Sequence, residues 1–519
     1  MGLSSANISS EGIQFCVFDS KRGQHEGEEL DKILFFYPSE CPFSAQLSVI
    51  GLCEGIITFT RMFSPEAPCE LIEAERRSYV FYEAEPDIWM VMVLDKSKYT
   101  ESVWRSESLQ AVLKEIHTLF VMFLGSIKTL LDKQPSGEFA RSHLYYFLTD
   151  YLTDFTVSTK VQLPTFRECL KERRTVQMLT ISRDVAIEIQ SLVTVLGSPT
   201  GSSTMNNSII LFQDLLVSTT LSPDDTANLF AYCVMRLTPH ALSSSLSSST
   251  WSYIMKSKTT SNISAVSSSP STVFAVSDEL RGTSRDTSPG GEPRTANAPR
   301  PLQRDKWSKG EDGYLVTDVW GVEIGTSLLR TPTILLQQSQ ERMYLCVYQY
   351  KSLTIVLLIP VLSLVNGEQG ILLVKKQLLE NVSDKILSIE EKLSKGWGGE
   401  NAYHVGGYRY LLIDGDRNIS RASPPAKVTT LSKDSLLALN NLREQVDTEK
   451  KRSKLDNPEH EKDFEACIRA KNNAWVIAKV SRGRELYMAL EKASETLLFA
   501  SEAVEKFSNK YCEGAFSLD

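Results

Sequence analysis

The segment FSAQLSVIGLCEGIITFTRMFSP, Phe43–Pro65, decides how the first part of the chain folds. It is typical of one helix that is apolar on nearly every side, whereas a surface helix needs only one apolar stripe. One apolar stripe at helical spacing consists of Val49, Cys53, Ile56, Phe59 or Thr60, and Phe63. Four further apolar residues lie outside this stripe: Leu47, Ile50, Ile57 and Met62. Because each exposed Leu, Ile or Phe forfeits roughly 1.5–3 kcal/mol of burial free energy, we expect the second face of this helix to be covered as well.

Two glycines favour a close helix contact on that second face. Gly51 and Gly55 stand four residues apart, although each glycine costs a helix interior about 1 kcal/mol relative to alanine. We expect one face to lie on the sheet of its own domain and the other on a partner; the alternative is a helix fully enclosed within its own domain. The residues expected at the partner interface are Leu47, Ile50, Gly51, Glu54, Gly55, Thr58 and Met62.

Strand-like runs rich in β-branched and aromatic residues surround this helix. Two precede it, Ile13–Asp19 and Lys32–Pro38, and three follow it, Cys69–Glu75, Arg77–Glu83 and Asp87–Asp95. A long helical pattern then covers about residues 106–132. The predicted order is β-β-α-β-β-β-α.

The same order returns twice more, with less regularity. After residue 205 it is predicted as a strand at Ser208–Thr220, a capped helix at Ser222–Pro239, four strands between Tyr314 and Pro360, and a helix at Gly367–Leu393. Later in the chain it is predicted as strands at Tyr408–Asp416 and Asn473–Val480, a helix at Ser432–Lys454 and a final helix at Arg482–Tyr511. We therefore predict three sheet-with-helices domains at residues 11–195, 205–395 and 400–515. Residues 241–300, rich in Ser, Pro, Gly and Thr, are expected to form a disordered insertion in the second domain.

Composition narrows the function classes. The net charge of −8 argues against a nucleic-acid binder that relies on a global basic field. Nine cysteines without a CxxC spacing argue against a disulfide framework and favour the cytosol. Because no run reaches the roughly 18 apolar residues of a transmembrane span, we expect a soluble or peripheral protein.

The motif search yields no constellation for catalysis. The sequence has no GxxxxGK[ST], GxSxG or HExxH pattern, so we expect neither a cofactor nor an active site of its own. We interpret His117 as a hydrogen-bonded core residue rather than a base. The basic run Glu449–Lys454 could meet acidic lipid headgroups, but a solvated helix end is the favoured reading.

The runs KILFFYPSE, GLCEGIITFTRMFSP and DIWMVMVLD, in this order, resemble the first domain of the Ccz family of vacuolar fusion proteins. The resemblance implies an α+β fold with three longin domains, each a five-stranded antiparallel sheet flanked by helices. It also implies an obligate partner, the Mon protein, whose first longin domain would cover the second face of the Phe43–Pro65 helix.

The resemblance further implies that the heterodimer is a guanine-nucleotide exchange factor for a Rab seven class GTPase. Its site would be the late endosome or prevacuolar compartment and the vacuole membrane, reached from the cytoplasm by peripheral recruitment. An upstream endosomal Rab and phosphoinositides are further expected partners, and nucleic acid is not. A longin-based tethering or coat scaffold without exchange activity is the alternative function, and an enzyme with its own active site is a third.

Overall fold

The computed structural model describes residues 13–66, 69–95, 103–157, 160–161, 175–179, 181–197, 206–243, 307–317, 331–363, 368–397, 408–415, 418–422, 431–456, 463–481, 484–490 and 496–511. The insertion predicted at 241–300 lies outside these residues from position 244 onward. The described residues contain three antiparallel arrangements of five strands with flanking helices, which confirms the α+β fold class.

The first sheet has the element order that the sequence predicts. Its strands are β1 Ile13–Asp19, β2 Ile33–Tyr37, β3 Leu71–Glu73, β4 Arg77–Glu85 and β5 Ile88–Asp95, and its first helix is α1 Phe43–Phe63. The strands lie in the order β2-β1-β5-β4-β3. The predicted helix over 106–132 is two helices, α2 Ser106–Leu124 and α3 Ile127–Lys133. Gly125, with a φ of 87°, ends the first, and the Ser126 side chain caps the second by accepting a hydrogen bond from the Thr129 N–H.

A connecting region follows the first sheet. It contains α4 Glu138–Phe155, β6 Thr156–Val157, β7 Lys160–Val161, β8 Val176–Gln177 and α5 Arg183–Gly197. β6 and β7 form a small hairpin, whereas β8 and α5 pack against the later domains.

The second sheet repeats the arrangement. Its elements are β9 Asn207–Phe212, β10 Leu215–Thr219, α6 Pro223–Arg236, β11 Trp307–Lys309, β12 Leu315–Thr317, β13 Thr333–Leu335, β14 Arg342–Tyr350, β15 Leu353–Pro360 and α7 Glu368–Trp397. The strand order β10-β9-β15-β14-β13 is that of the first sheet, and β11 and β12 form a separate hairpin. The single strand predicted at Ser208–Thr220 is wrong, because Gln213, with a φ of 53°, turns the chain into the hairpin of β9 and β10.

The third sheet has the same strand order. Its elements are β16 Tyr408–Asp414, β17 Ile419–Ala422, α8 Lys433–Asp456, β18 Phe464–Arg469, β19 Trp475–Ser481, β20 Arg484–Leu490 and α9 Leu497–Tyr511. The strands lie in the order β18-β19-β20-β16-β17, with β8 added beyond β17. The predicted helix Arg482–Tyr511 is therefore wrong in its first part. Leu486 and Leu490 point into the sheet core from β20, and the helix begins at Leu497.

The first and second sheets share one hydrophobic core. It contains residues of β1 and β5, of α2 and α4, and of α6 and β14. α2 therefore lies between the two sheets, in contact with β4 on one side and with β13 and α6 on the other. The described residues up to Leu242 and from Trp307 onward form one compact unit. The domain limits at 11–195, 205–395 and 400–515 stay a prediction.

Candidate partner interface

The inner face of α1 packs on the first sheet. Its buried residues are Gln46, Ile50, Cys53 and Ile57. Ile50 and Cys53 are fully buried in a core formed with side chains from β1, β2, β4 and β5, including the large ring of Trp89. This inner face does not follow the stripe that ends at Phe59 and Phe63, since both of those rings are exposed.

The start of α1 and the thiols beneath it are held within the domain. The Gln46 side-chain amide donates a hydrogen bond of 2.7 Å to the Cys41 carbonyl oxygen. Under the helix, the hydrogen bond between Cys16 and Cys53, followed by burial, raises the pKa of the Cys16 thiol well above its usual value. Cys16 therefore stays protonated near neutral pH and packs as a small apolar residue.

Two ion pairs bind one flank of α1 to its own domain, because Glu54 and Arg61 lie two helical turns apart on the same side of the helix. The Lys32 ammonium lies 2.8 Å from Glu54, and the Arg61 guanidinium lies 2.9 Å from Glu83 and over the ring of Trp89. The two charged residues of the helix thus have partners inside their own domain. They interrupt the apolar sequence without opening the inner face to water.

The outer face of α1 is open. Gly51 and Gly55 are exposed, and a Cβ atom placed on either of them would meet nothing within 4 Å. Between and beyond them the face presents large apolar side chains, of which Met62 and Phe63 are each 75% exposed. The rings of Phe59 and Phe63 contact each other with centroids 4.9 Å apart. Small residues beside projecting apolar side chains form a surface into which another helix can pack.

The structure divides the seven residues expected at the partner interface. Gly51, Gly55, Thr58 and Met62 lie together on the open face, and Leu47 lies half-buried at its margin. Ile50 does not belong to this face, because it is fully buried against the sheet. Glu54, two helical turns after Leu47 on the same flank, is half-buried and paired with Lys32.

Three further residues of the open face were not expected there. Leu52, between the two glycines, is exposed, and the exposed rings of Phe59 and Phe63 extend the apolar surface from Gly55 toward the end of the helix. Their sequence positions belong to the same apolar pattern as the inner residues. The helical period alone therefore could not separate them from the inner residues. The small or polar residues Ser48, Gly51 and Gly55 mark the side of the helix that forms the outer face.

α1 also has the length and apolar composition of a membrane-spanning helix, as does the bent pair of α2 and α3 among the described residues. Only 22% of the most apolar stretch of α1 is buried. Its ion pairs with Lys32 and Glu83 and its packing on the sheet fit a surface helix of a folded domain.

The other residues considered for chemistry have structural roles. His117 lies 3.3 Å from the Tyr82 hydroxyl and 3.4 Å from Glu85, which confirms it as a hydrogen-bonded core residue. In the basic run, Lys450 binds Glu485 at 2.6 Å and Arg452 binds Glu449 at 2.8 Å. Within the described ranges, no group of three His, Cys, Asp or Glu side chains could hold a metal ion.

The repeated strand order and the β-β-α-β-β-β-α sequence of elements define a protein built of longin domains. The model described as the first Longin domain of INTU, CCZ1 and HPS4 matches residues 13–125, which contain α1 and the whole first sheet.

Relatives of full length identify the family. The chain is 62% identical over 519 residues to vacuolar fusion protein CCZ1 homolog B of Arabidopsis thaliana, with 100% of both chains covered. It is 61% identical to the CCZ1 homolog of Oryza sativa subsp. japonica, again over 100% of both. The CCZ1 homolog of Xenopus tropicalis is 22% identical over 98% of this chain and 97% of its own length. The chain belongs to the CCZ1 family of vacuolar fusion proteins, as the sequence resemblance predicts.

Proposed function

We propose that this chain is one subunit of a heterodimeric guanine-nucleotide exchange factor that acts in traffic and fusion at the vacuole. Its partner is the Mon protein, and its substrate is a Rab seven class GTPase. The observation that carries the proposal is the open outer face of α1, where Gly51, Gly55 and Met62 are exposed and leave room for a second helix to pack. The names of its full-length relatives, vacuolar fusion proteins, support the place of action.

The second domain supplies an internal precedent for such a covered helix. α6 has the same position in its domain as α1, yet every residue from Asp225 to Arg236 is buried or half-buried. Helices of the first domain cover it: the ring of Phe123 in α2 lies 4.6 Å from that of Tyr232, and Asp150 in α4 binds Arg236. A longin domain of a partner would cover α1 in the same manner.

Exchange by such a complex requires no covalent chemistry. The complex binds the switch regions of the GTPase in a conformation that disfavours Mg²⁺ and nucleotide, so the nucleotide leaves and GTP replaces it. Lowering nucleotide affinity by a factor of 10⁴ takes about 5.5 kcal/mol of differential binding. The chain therefore acts by surfaces, without catalytic residues of its own, and alone it is a poor exchange factor.

The proposed site of action is the late endosome or prevacuolar compartment and the vacuole membrane. Recruitment from the cytoplasm is peripheral, through an upstream endosomal Rab and phosphoinositides.

The test is release of a fluorescent nucleotide from a Rab seven class GTPase. We would compare the chain alone, the Mon partner alone and the coexpressed pair. Acceleration only by the pair supports the proposal. A stable complex without acceleration would contradict it and would favour a tethering or coat scaffold.

A further inference from the structure

The segment Val176–Leu179, hereafter the strap, joins two sheets. On one edge it pairs in parallel with β17 of the third sheet. The Val176 N–H donates to the Asn418 carbonyl oxygen at 3.0 Å, and the Met178 N–H donates to the Ser420 carbonyl oxygen at 2.8 Å.

The opposite edge of the strap binds the second sheet. Met178 forms a parallel bridge with Leu216 of β10, and the Leu179 N–H donates to the Leu216 carbonyl oxygen at 2.8 Å. Because successive N–H groups of a strand point to opposite edges, donors at 176 and 178 face β17 while the donor at 179 faces β10. The strap is thus the shared neighbour of two edge strands.

The strap is also fixed by its side chains. Val176 and Gln177 are buried. Val176 belongs to the core shared by the first two sheets, and Leu179 packs against the core between the second sheet, α5 and α7. Shielding from water favours retention of the hydrogen bonds on both edges.

The third domain is held at a second place by the segment before α2. The Asn440 side-chain amide donates to the Val103 carbonyl oxygen at 2.6 Å, and Arg105 lies 3.3 Å from Asp447. Both attachments to α8 and β17 come from connecting segments of the chain that precede the second and third domains.

We propose that the strap is a positioning device that makes the second and third domains move as one body. With β10 bound to one edge and β17 to the other, a change in the angle between the two sheets breaks hydrogen bonds on at least one side. The orientation of the third domain relative to the second is therefore set in part by a strand, β8, that extends the third sheet but comes from the chain segment before both domains.

Hydrogen–deuterium exchange on the full chain tests this role. Met178→Pro removes the N–H that binds Ser420, whereas Met178→Ala shortens the side chain and keeps that donor. We expect the proline variant to raise exchange about tenfold at the Val176 amide and in β17. The alanine variant and the central strands β9 and β16 should keep wild-type rates. Unchanged exchange in β17 of the proline variant would overturn the proposal.

A second variant separates the two edges. Leu179→Pro removes the donor to Leu216 only, so faster exchange is expected in the strap and β10 while the Met178 bond to β17 persists. Equal acceleration in all three sheets, or failure of the proline variants to fold while Met178→Ala folds, would mean that the strap belongs to one common folding unit. Either result would overturn the proposal that the strap is a separate device that couples the second domain to the third.

Discussion

Asp150 and Arg236 form an ion pair of 2.8 Å between α4 and α6, and each side chain is only 7% exposed. The pair stands where a helix of the first domain's connecting region covers the first helix of the second domain. At this depth the two charges compensate each other, and neither has bulk water to replace its partner.

Removal of one charge of this pair should destabilise the protein strongly. Asp150→Ala leaves the Arg236 guanidinium buried, and we expect a loss of about 3–5 kcal/mol in the free energy of unfolding. Denaturant unfolding of the full chain measures it. The double variant Asp150→Leu with Arg236→Met should recover part of the loss, because it removes both charges. A double variant as unstable as the single one would contradict the electrostatic cause.

Bulky side chains on the open face of α1 should block binding of the partner without preventing the chain itself from folding. Gly51→Leu with Gly55→Leu is expected to abolish copurification of the Mon partner. The melting temperature of the chain should hold or rise, because open space surrounds both positions and leucine favours a helix over glycine by up to about 1 kcal/mol per residue.

The matched control for this double change lies on α5. Gln190→Leu with Thr194→Leu places two leucines four residues apart on an exposed helix surface and should leave copurification unchanged. A glycine double variant that melts at a much lower temperature would support the enclosed-helix alternative. One that still binds the partner would remove α1 from the interface.

The two faces of α1 should respond differently to truncation. Ile50→Ala opens a cavity in the core under the helix and should cost about 2–5 kcal/mol of stability. Met62→Ala, at an exposed position, should change stability by less than about 0.5 kcal/mol and weaken partner binding instead. Denaturant unfolding and a binding titration distinguish them, and the reverse pattern would show that the faces are assigned wrongly.

Glu85 should give the protein an acid-sensitive contribution to stability. Burial opposes its ionisation, but His117 and the N–H groups of Lys128 and Ile127 outweigh burial, so the pKa of Glu85 is lowered from 4.5. The hydrogen bonds from Ile127 and Lys128 are 2.6 and 2.9 Å long and cap α3. A lowered pKa in the folded state means that the stabilisation is present above the unfolded pKa and is lost as pH falls through the folded one.

The measurement is urea unfolding between pH 3 and 7, about the range in which carboxylates titrate. Glu85→Gln should lower stability at pH 6 by about 1–3 kcal/mol, since charge-assisted bonds become neutral ones. The variant's stability should also fall less steeply below pH 4.5. Glu444→Gln, on the exposed surface of α8, is the control. Parallel pH profiles for Glu85→Gln and the wild type would contradict the assignment.

The first domain could be predicted closely from sequence because its strands are short apolar runs bounded by turn residues. The later domains were harder, since Leu486 and Leu490 have a spacing that suits a helix as well as two inward positions of a strand. The turn at Gln213 carries no glycine or proline, and its positive φ is stabilised by the surrounding hairpin. In each case long-range pairing decided the structure against a local pattern.

The partner surface was predicted only in part for a related reason. When both faces of a helix are apolar, the helical period fixes the angle between residues but not which side meets the sheet. Ile50 and Phe59 look equivalent in sequence, yet one is fully buried and the other is 61% exposed. Gly51 and Gly55 mark the correct side because a glycine in a helix gains nothing from packing on its own sheet.

The strap is translated long before β17, the strand that completes one of its edges. A nascent chain that has emerged only through the second domain therefore presents the strap with its β17-facing N–H groups unpaired, a template for wrong strand pairing. Those N–H groups can pair only after the last domain has been synthesised and β17 has found the strap, which is a slow contact between distant parts of the chain. Ribosome-bound intermediates of this protein should consequently depend on chaperones until residue 422 and the strands beyond it have left the exit tunnel.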